Sequence, residues 1–182
     1  MEYNFYLLGI DPGNNTGIAI FEISALTLCI VNITTATVVL NDIASPNLPL
    51  GLGRNVMLNK VCDRLACEYQ PNVVAMEAAF LNVRFPKAVM QLSQYVSTIE
   101  NTFYNNNNFV KLYKHPPKYV KKYIGGGGNA DKDAMLLAVK AIPEVFENIN
   151  LDRVTEHEVD AIAIGYVTLA MLRQYPHLLI SY

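Results

Sequence analysis

The sequence predicts an α/β domain: a mixed five-stranded sheet, three antiparallel strands and then two parallel ones, flanked by helices. Three observations predict it. Two apolar runs, residues 5–10 and 17–23, stand either side of a break at Pro12-Gly13, which reads as strand, turn, strand. Val73-Val74-Ala75-Met76 is a short continuous apolar run between segments of helical spacing, the pattern of a buried parallel strand. The first run and this one both end on a carboxylate, Asp11 and Glu77, and the rims of α/β sheets are where such proteins place their chemistry.

The elements follow in order. Residues 17–23 and 26–40 alternate β-branched runs with polar breaks and complete an antiparallel meander with the first strand. Residues 41–49 are polar and read as a loop. Over 50–69, Val56, Leu58, Val61, Leu65 and Ala66 recur at helical spacing, and Pro71 stops the helix. After the strand at 73–76, Phe85, Val89, Leu92, Val96, Ile99 and Phe103 make an apolar stripe along a helix over 84–104. A strand is expected over 109–113, and Pro116-Pro117 then opens a short basic helix. Gly125 to Gly128 make a loop, Asn129 or Asp131 caps the next helix, and a last helix runs from about Thr155 past Leu172.

Composition bounds the reading. With 182 residues, 52% hydrophobic and 16% charged, the chain is expected to be one globular domain over 1–182. A net charge of −2 leaves no overall basic signature, so any lysines that meet nucleic acid must be concentrated locally. The start of the chain lacks the basic cluster of a secretory signal. The longest apolar stretch, 161–172, is too short to span a bilayer and contains Gly165 and Thr168. Cys29, Cys62 and Cys67 form no C-x-x-C pair and are expected to be reduced thiols of a cytoplasmic protein.

A third acidic group joins the two at the strand ends. In Thr155-Glu156-His157-Glu158-Val159-Asp160, His157 and Asp160 are three apart and share one face of a helix, and Ile164 and Val167 continue that face into the core. An inward carboxylate is costly unless paired, protonated or metal-bound. No lysine or arginine lies beside Asp11, Glu77 or Asp160 in sequence. Crowded oxygen ligands at a sheet rim suit hard divalent cations such as Mg²⁺ or Mn²⁺. Two such ions roughly 4 Å apart activate a water and stabilise the leaving oxygen of a phosphodiester. Each residue also has an ordinary alternative: Asp11 in a turn, Glu77 capping a helix, His157 on the surface, Asp160 on a backbone amide.

Four blocks resemble the RuvC-type Holliday-junction resolvases of the RNase H-like superfamily. They are Gly9-Ile10-Asp11-Pro12-Gly13 with Thr16-Gly17; Met76-Glu77-Ala78-Ala79-Phe80; Val120-Lys121-Lys122 with the Gly125–Lys132 stretch; and Glu158-Val159-Asp160-Ala161-Ile162-Ala163-Ile164. They occur in family order and cover nearly the whole chain. The resemblance implies an RNase H-like fold and a crossover junction endonuclease of DNA recombination and repair. It also implies a homodimer acting on branched DNA with two Mg²⁺ ions, for which Mn²⁺ substitutes. It implies a catalytic and metal-binding set of Asp11, Glu77, His157 and Asp160, with His157 at a position where many members carry Asp. It implies that Phe80 stacks on bases and that Lys121 and Lys132 contact DNA near the cut.

The residues between the blocks agree. Lys111, Lys114, Lys118, Lys121 and Lys122 crowd one short segment, interleaved with Tyr113, Tyr119 and Tyr123. Lys114, Lys118 and Lys122 therefore join Lys121 and Lys132 as candidate phosphate contacts, which position DNA without reading its sequence. The glycine loop is no P-loop, since no G-K-[ST] ending follows. Three other readings stand beside this one: an actin-like kinase, which needs two such lobes; a silent junction-binding protein; and a nuclease for flaps or three-way junctions. One acidic cluster makes one cut, so paired cuts need a two-fold dimer, and Met90, Tyr95 and Thr98 on the 84–104 helix are the candidate patch.

Overall fold

The structure, a computed structural model, describes residues 3–79, 85–125 and 127–179. One sheet of five strands runs in the order β3-β2-β1-β4-β5. Strands β1 (Asn4–Asp11), β2 (Asn15–Ser24) and β3 (Ile30–Val39) form the antiparallel meander, and β4 (Val73–Glu77) and β5 (Lys111–His115) add in parallel beside β1. The mixed sheet expected from the sequence is the one observed.

Strand parity sorts the side chains into two cores. Leu7, Ala19, Phe21, Val73 and Ala75 face one layer, made by α4 (Pro117–Ile124), α5 (Lys132–Lys140), α6 (Pro143–Asn148) and α7 (Glu156–Gln174). Leu8, Ile10, Ile18, Ile20, Val74 and Met76 face the other, made by α2 (Leu50–Tyr69) and α3 (Pro86–Asn106). The run Leu7-Leu8-Gly9-Ile10 is continuous rather than alternating because both faces of the central strand are covered. No helix among the described residues is long and apolar enough to cross a membrane.

Four local expectations shift. The polar segment after β3 holds a short helix, α1 (Leu40–Ile43), anchored by fully buried Leu40. The third strand begins at Ile30, because residues 25–29 form the turn that returns from β2. The last strand lies two residues beyond its expected start, at Lys111–His115, with Phe109 left exposed outside it. The stripe of α3 is buried only from Tyr95 onward, and Phe85 stands exposed before the first turn. Tyr95 itself is not outward-facing: its ring is buried and its hydroxyl donates to Asn14 Oδ1 at 2.8 Å. Gln91 Nε2 donates to the same hydroxyl at 2.7 Å. A buried phenol needs such partners, and this one secures the loop after Asp11 to α3. Tyr95 is thereby removed from the dimer patch, while Met90 remains exposed.

Candidate active site

The strand register builds the site before any side chain is considered. Ile10 of β1 lies beside Met76 of β4, so Asp11 and Glu77, one residue further on, end neighbouring parallel strands at one rim. Parity turns both toward the face covered by α7, since their i−2 and i−4 neighbours lie on that side. The turn after Asp11 is closed by Thr16, fully buried, whose Oγ1 donates to the Gly13 carbonyl at 2.8 Å. Asp11 is thus spared from holding its own turn.

Two glycines let α7 descend onto that rim. A Cβ on Gly17 would lie 1.9 Å from the His157 carbonyl oxygen, and one on Gly9 would lie 2.2 Å from that of Ala161. Only bare backbone permits this approach. The first turn of α7 is fixed further by a capping arrangement. The Glu158 amide donates to Thr155 Oγ1 at 3.2 Å, as in a T-x-x-E box. The Glu158 carboxylate, itself buried, does not turn back to the Thr155 amide. It accepts from Thr35 Oγ1 at 2.7 Å and Thr37 Oγ1 at 2.9 Å on β3. The T-x-x-E spacing was the available sequence signal for Glu158, but its cross-links to β3 depend on the sheet register.

This seating brings His157 to Asp11. His157 Nδ1 lies 3.0 Å from Asp11 Oδ2. With the carboxylate ionised, Nδ1 carries the hydrogen; in the neutral imidazole Nε2 then accepts from Asn15 Nδ2 at 3.4 Å. Glu156 Oε1 stands 3.6 Å from the same nitrogen. Asn15 and Glu156 are neighbours that the sequence did not single out, for neither shares a motif spacing with His157.

The carboxylates sense one another. Burial pushes Glu77 up to about 7, helped by the charges of Asp11 and Asp160 and opposed by Lys121. Burial and the Asp11 charge push Asp160 up to about 6, against the pull of Lys121 and His157. Burial also raises Asp11, and its bond to His157 opposes the rise. Lys121 is therefore the cation that sequence adjacency could not reveal: α4 delivers it beside Glu77 and Asp160, where the three line a shallow cleft with Met135 and Ile164. Its Nζ is anchored on the Ala130 carbonyl at 2.7 Å.

Among the described residues the contacts bear on each ordinary alternative. Asp11 bonds a histidine across the fold. Glu77 caps no helix, because α3 begins nine residues later with no side-chain cap at Phe85. His157 is part-buried. Asp160 makes no side-chain hydrogen bond to a backbone amide among the described residues. Chemically the set suits a hard divalent cation: three oxygen donors, two of which burial and then mutual repulsion hold toward the protonated form, and an imidazole. Among the described residues no three such side chains are close enough to enclose an ion as they stand.

The other candidates divide. Lys132, at the start of α5, pairs with Glu156 on the α7 side. Lys118 and Lys122 are exposed on α4. Lys114 is turned away: strand parity puts it on the α3 face, where it pairs with Glu100 at 2.8 Å. Phe80 lies outside the described residues.

The raised carboxyls set a pH dependence. Asp160 and Glu77 titrate above their ordinary 3.8 and 4.5, so the folded chain holds protons that the unfolded chain has released. That contribution favours folding on the acid side and is lost as pH rises through about 6 and about 7. Without divalent cation, the thermal midpoint of Glu77→Gln relative to wild type should therefore rise between about pH 5 and about pH 8. Added Mg²⁺ should stabilise the wild type more at the upper end, where it no longer competes with protons. Calorimetry of the two proteins checks this; a constant difference across the range would place Glu77 in full contact with water.

The chain and its fold are similar to those of known proteins. The family model of crossover junction endodeoxyribonuclease RuvC matches residues 7–168. The RuvC of Orientia tsutsugamushi is 30% identical over 161 residues, which cover 88% of this chain and 92% of that protein. That of Rickettsia massiliae is 32% identical over 117 residues, covering 64% and 69%. Among solved structures, Thermus thermophilus RuvC in complex with a Holliday junction substrate superposes with a TM-score of 0.69 at 21% identity, over 93% of this chain and 96% of that one. The yeast mitochondrial Holliday junction resolvase superposes at 0.64 and 16% identity, over 95% and 82%. The RNase H-like fold is thereby shown, and the match from β1 into α7 shows that the chain belongs to the RuvC family of crossover junction endodeoxyribonucleases.

Proposed function

We propose that the chain resolves four-way DNA junctions by metal-dependent phosphodiester hydrolysis, with Asp11, Glu77, His157 and Asp160 as the catalytic and metal-binding set. The observation that carries this is the convergence of two strand-end carboxylates and the first turn of α7 on one face of the rim, in a chain of this family. Residues 1–182 are read as a single nuclease domain acting in the cytoplasm, where its DNA is.

The family's chemistry depends on divalent cations, and Mg²⁺ is the ion we assign, two per site, with Mn²⁺ able to substitute. Such ions supply Lewis-acid polarisation of the phosphoryl oxygens and activation of the attacking water. The chain's own groups do the rest. Asp11 orients the His157 ring and holds its proton at Nδ1. Lys121, tethered through Ala130, places a fixed positive charge beside Glu77 and Asp160, where a phosphate arriving in the cleft meets it. Lys132, with Lys118 and Lys122, continues the phosphate path, and Lys114 lies off it on the α3 face. Phe80, three residues after Glu77, is proposed to stack on a base at the branch.

The acting unit is proposed to be a homodimer. One chain carries one acidic cluster and makes one cut, and a junction offers two equivalent strands, so a two-fold pair makes both cuts in one encounter. Exposed Met90 on α3 stays in the candidate interface. A supercoiled plasmid with an extruded cruciform tests the whole reading. Wild-type protein with Mg²⁺ or Mn²⁺ should give mostly linear product, and heterodimers with one Asp11→Asn subunit mostly nicked circles. Intact plasmid under both metals would refute the nuclease reading. Linear product from a chain that is monomeric on the DNA would refute the dimer.

A further inference from the structure

The tyrosines of the basic segment have no role in the site just described. The structure separates them. Tyr113 faces the core on β5 and its hydroxyl approaches the Leu178 carbonyl at 3.5 Å. Tyr119 and Tyr123, four residues apart on α4, are 45% and 47% exposed, with ring centroids 6.1 Å apart and planes tilted by 45°. The inner face of Tyr119 stacks on the buried imidazole of His115, at 5.8 Å and 22°. His115 is in turn held by Thr168 of α7, Nε2 to Oγ1 at 2.8 Å. The first ring is therefore backed by the core, and it braces the second.

The order of residues around α4 gives the rings a partner. At about 100° per residue, Val120 is on the core side and Lys121 turns toward the acidic cleft. Lys118 and Lys122 come next around the helix, and Tyr119 and Tyr123 beyond them. Neither Lys118 nor Lys122 has an ion-pair partner among the described residues. A phosphate backbone leaving the cleft thus meets Lys121, then the lysine pair, with two aromatic rings alongside. Rings half open to water beside unpaired ammonium groups fit a nucleobase attached to the phosphates those groups hold. In an intact duplex both faces of each base are covered by its neighbours. Only a base released from the stack offers a face, as at a branch point.

We propose that Tyr119 and Tyr123 form a stacking platform for a base unpaired at the branch, beside phosphates held by Lys118 and Lys122. The platform gives the chain a preference for branched over linear DNA that charge alone does not supply. It rests on the junction-resolving function proposed above.

Stacking releases no counterions, so it is separable from phosphate contact by salt dependence. The test uses the full chain in an Asp11→Asn background with Mg²⁺. Dissociation constants are measured over a salt series for a linear duplex and for a four-way junction carrying 2-aminopurine at the branch. Tyr123→Ala should weaken junction binding about tenfold and leave the duplex and the salt slope unchanged. It should also abolish 2-aminopurine quenching, and Tyr123→Phe should restore both. Lys118→Ala should instead weaken both DNAs and reduce the log–log slope by about 0.9 for a lost duplex phosphate contact. Tyr119→Ala should match Tyr123→Ala if its unfolding midpoint is that of wild type. The platform is overturned if Tyr123→Ala binds the junction as the parent does, loses equally on duplex, or flattens the slope. A parent that prefers the junction while Tyr123→Ala matches it sinks the platform alone. A parent with no preference for the junction removes the resolvase reading, and the platform with it.

Discussion

Asp11→Asn is expected to bring junction cleavage below detection while the chain stays folded and bound to DNA. Asparagine keeps the shape and an oxygen able to accept from His157 Nδ1, so the 3.0 Å contact to α7 survives. What disappears is a charge that, after burial, does most to raise both Glu77 and Asp160. Those two groups should then titrate lower, which is a gain in stability for the metal-free chain at neutral pH. Asp11 itself is raised by burial, so its replacement also removes a buried charge whose cost was present above its ordinary pKa. The variant's thermal midpoint without metal should thus equal or exceed that of wild type, and the rise produced by Mg²⁺ should vanish. Loss of activity with a higher midpoint distinguishes a missing ligand from a damaged fold. Cleavage near the wild-type rate would make Asp11 a turn residue after all.

What could be read from the sequence depended on which contacts are local. The sheet was legible because burial on one or two faces writes itself into strand composition, and both strand-end carboxylates follow from where those runs stop. The histidine and aspartate of α7 were legible because helical spacing fixes a shared face. Contacts between elements were not. Lys121 stands far along the chain from Glu77 and Asp160, and only the packing of α4 against the cleft unites them. Lys114 sits among basic residues in sequence, yet the strand runs past 113 to His115, and its parity turns Lys114 onto the opposite face. Tyr95 fell in a stripe that reads equally as core or interface, and its bond to Asn14 decides for the core. The short polar stretch at 41–49 hid a helix because one buried leucine, Leu40, is too little periodicity to detect.

Gly17→Ala should do more harm to cleavage than to folding. Thr16-Gly17 could be seen as a motif, but its physical reason lies across the fold. An added methyl would meet the His157 carbonyl at 1.9 Å and the Glu158 amide nitrogen at 3.1 Å, both backbone atoms of the first turn of α7. No rotamer change relieves a clash between two backbones, so either β2 or the helix start must retreat. The helix start is pinned by the Glu158 carboxylate to Thr35 and Thr37, while β2 is held in the sheet on both sides. Overpacking of this kind costs about 1–3 kcal/mol, or more where nothing yields. The turn that must move carries His157 and leads into Asp160, and a displacement of about 1 Å at a reacting centre costs roughly a hundredfold in rate. The expected result is a folded chain with a midpoint lowered by several degrees and cleavage reduced about a hundredfold. Gly51, whose added Cβ meets nothing within 4 Å, is the control, since Gly51→Ala in α2 should be neutral or mildly stabilising. Wild-type cleavage by Gly17→Ala would mean that α7 does not rest on β2 as closely as described.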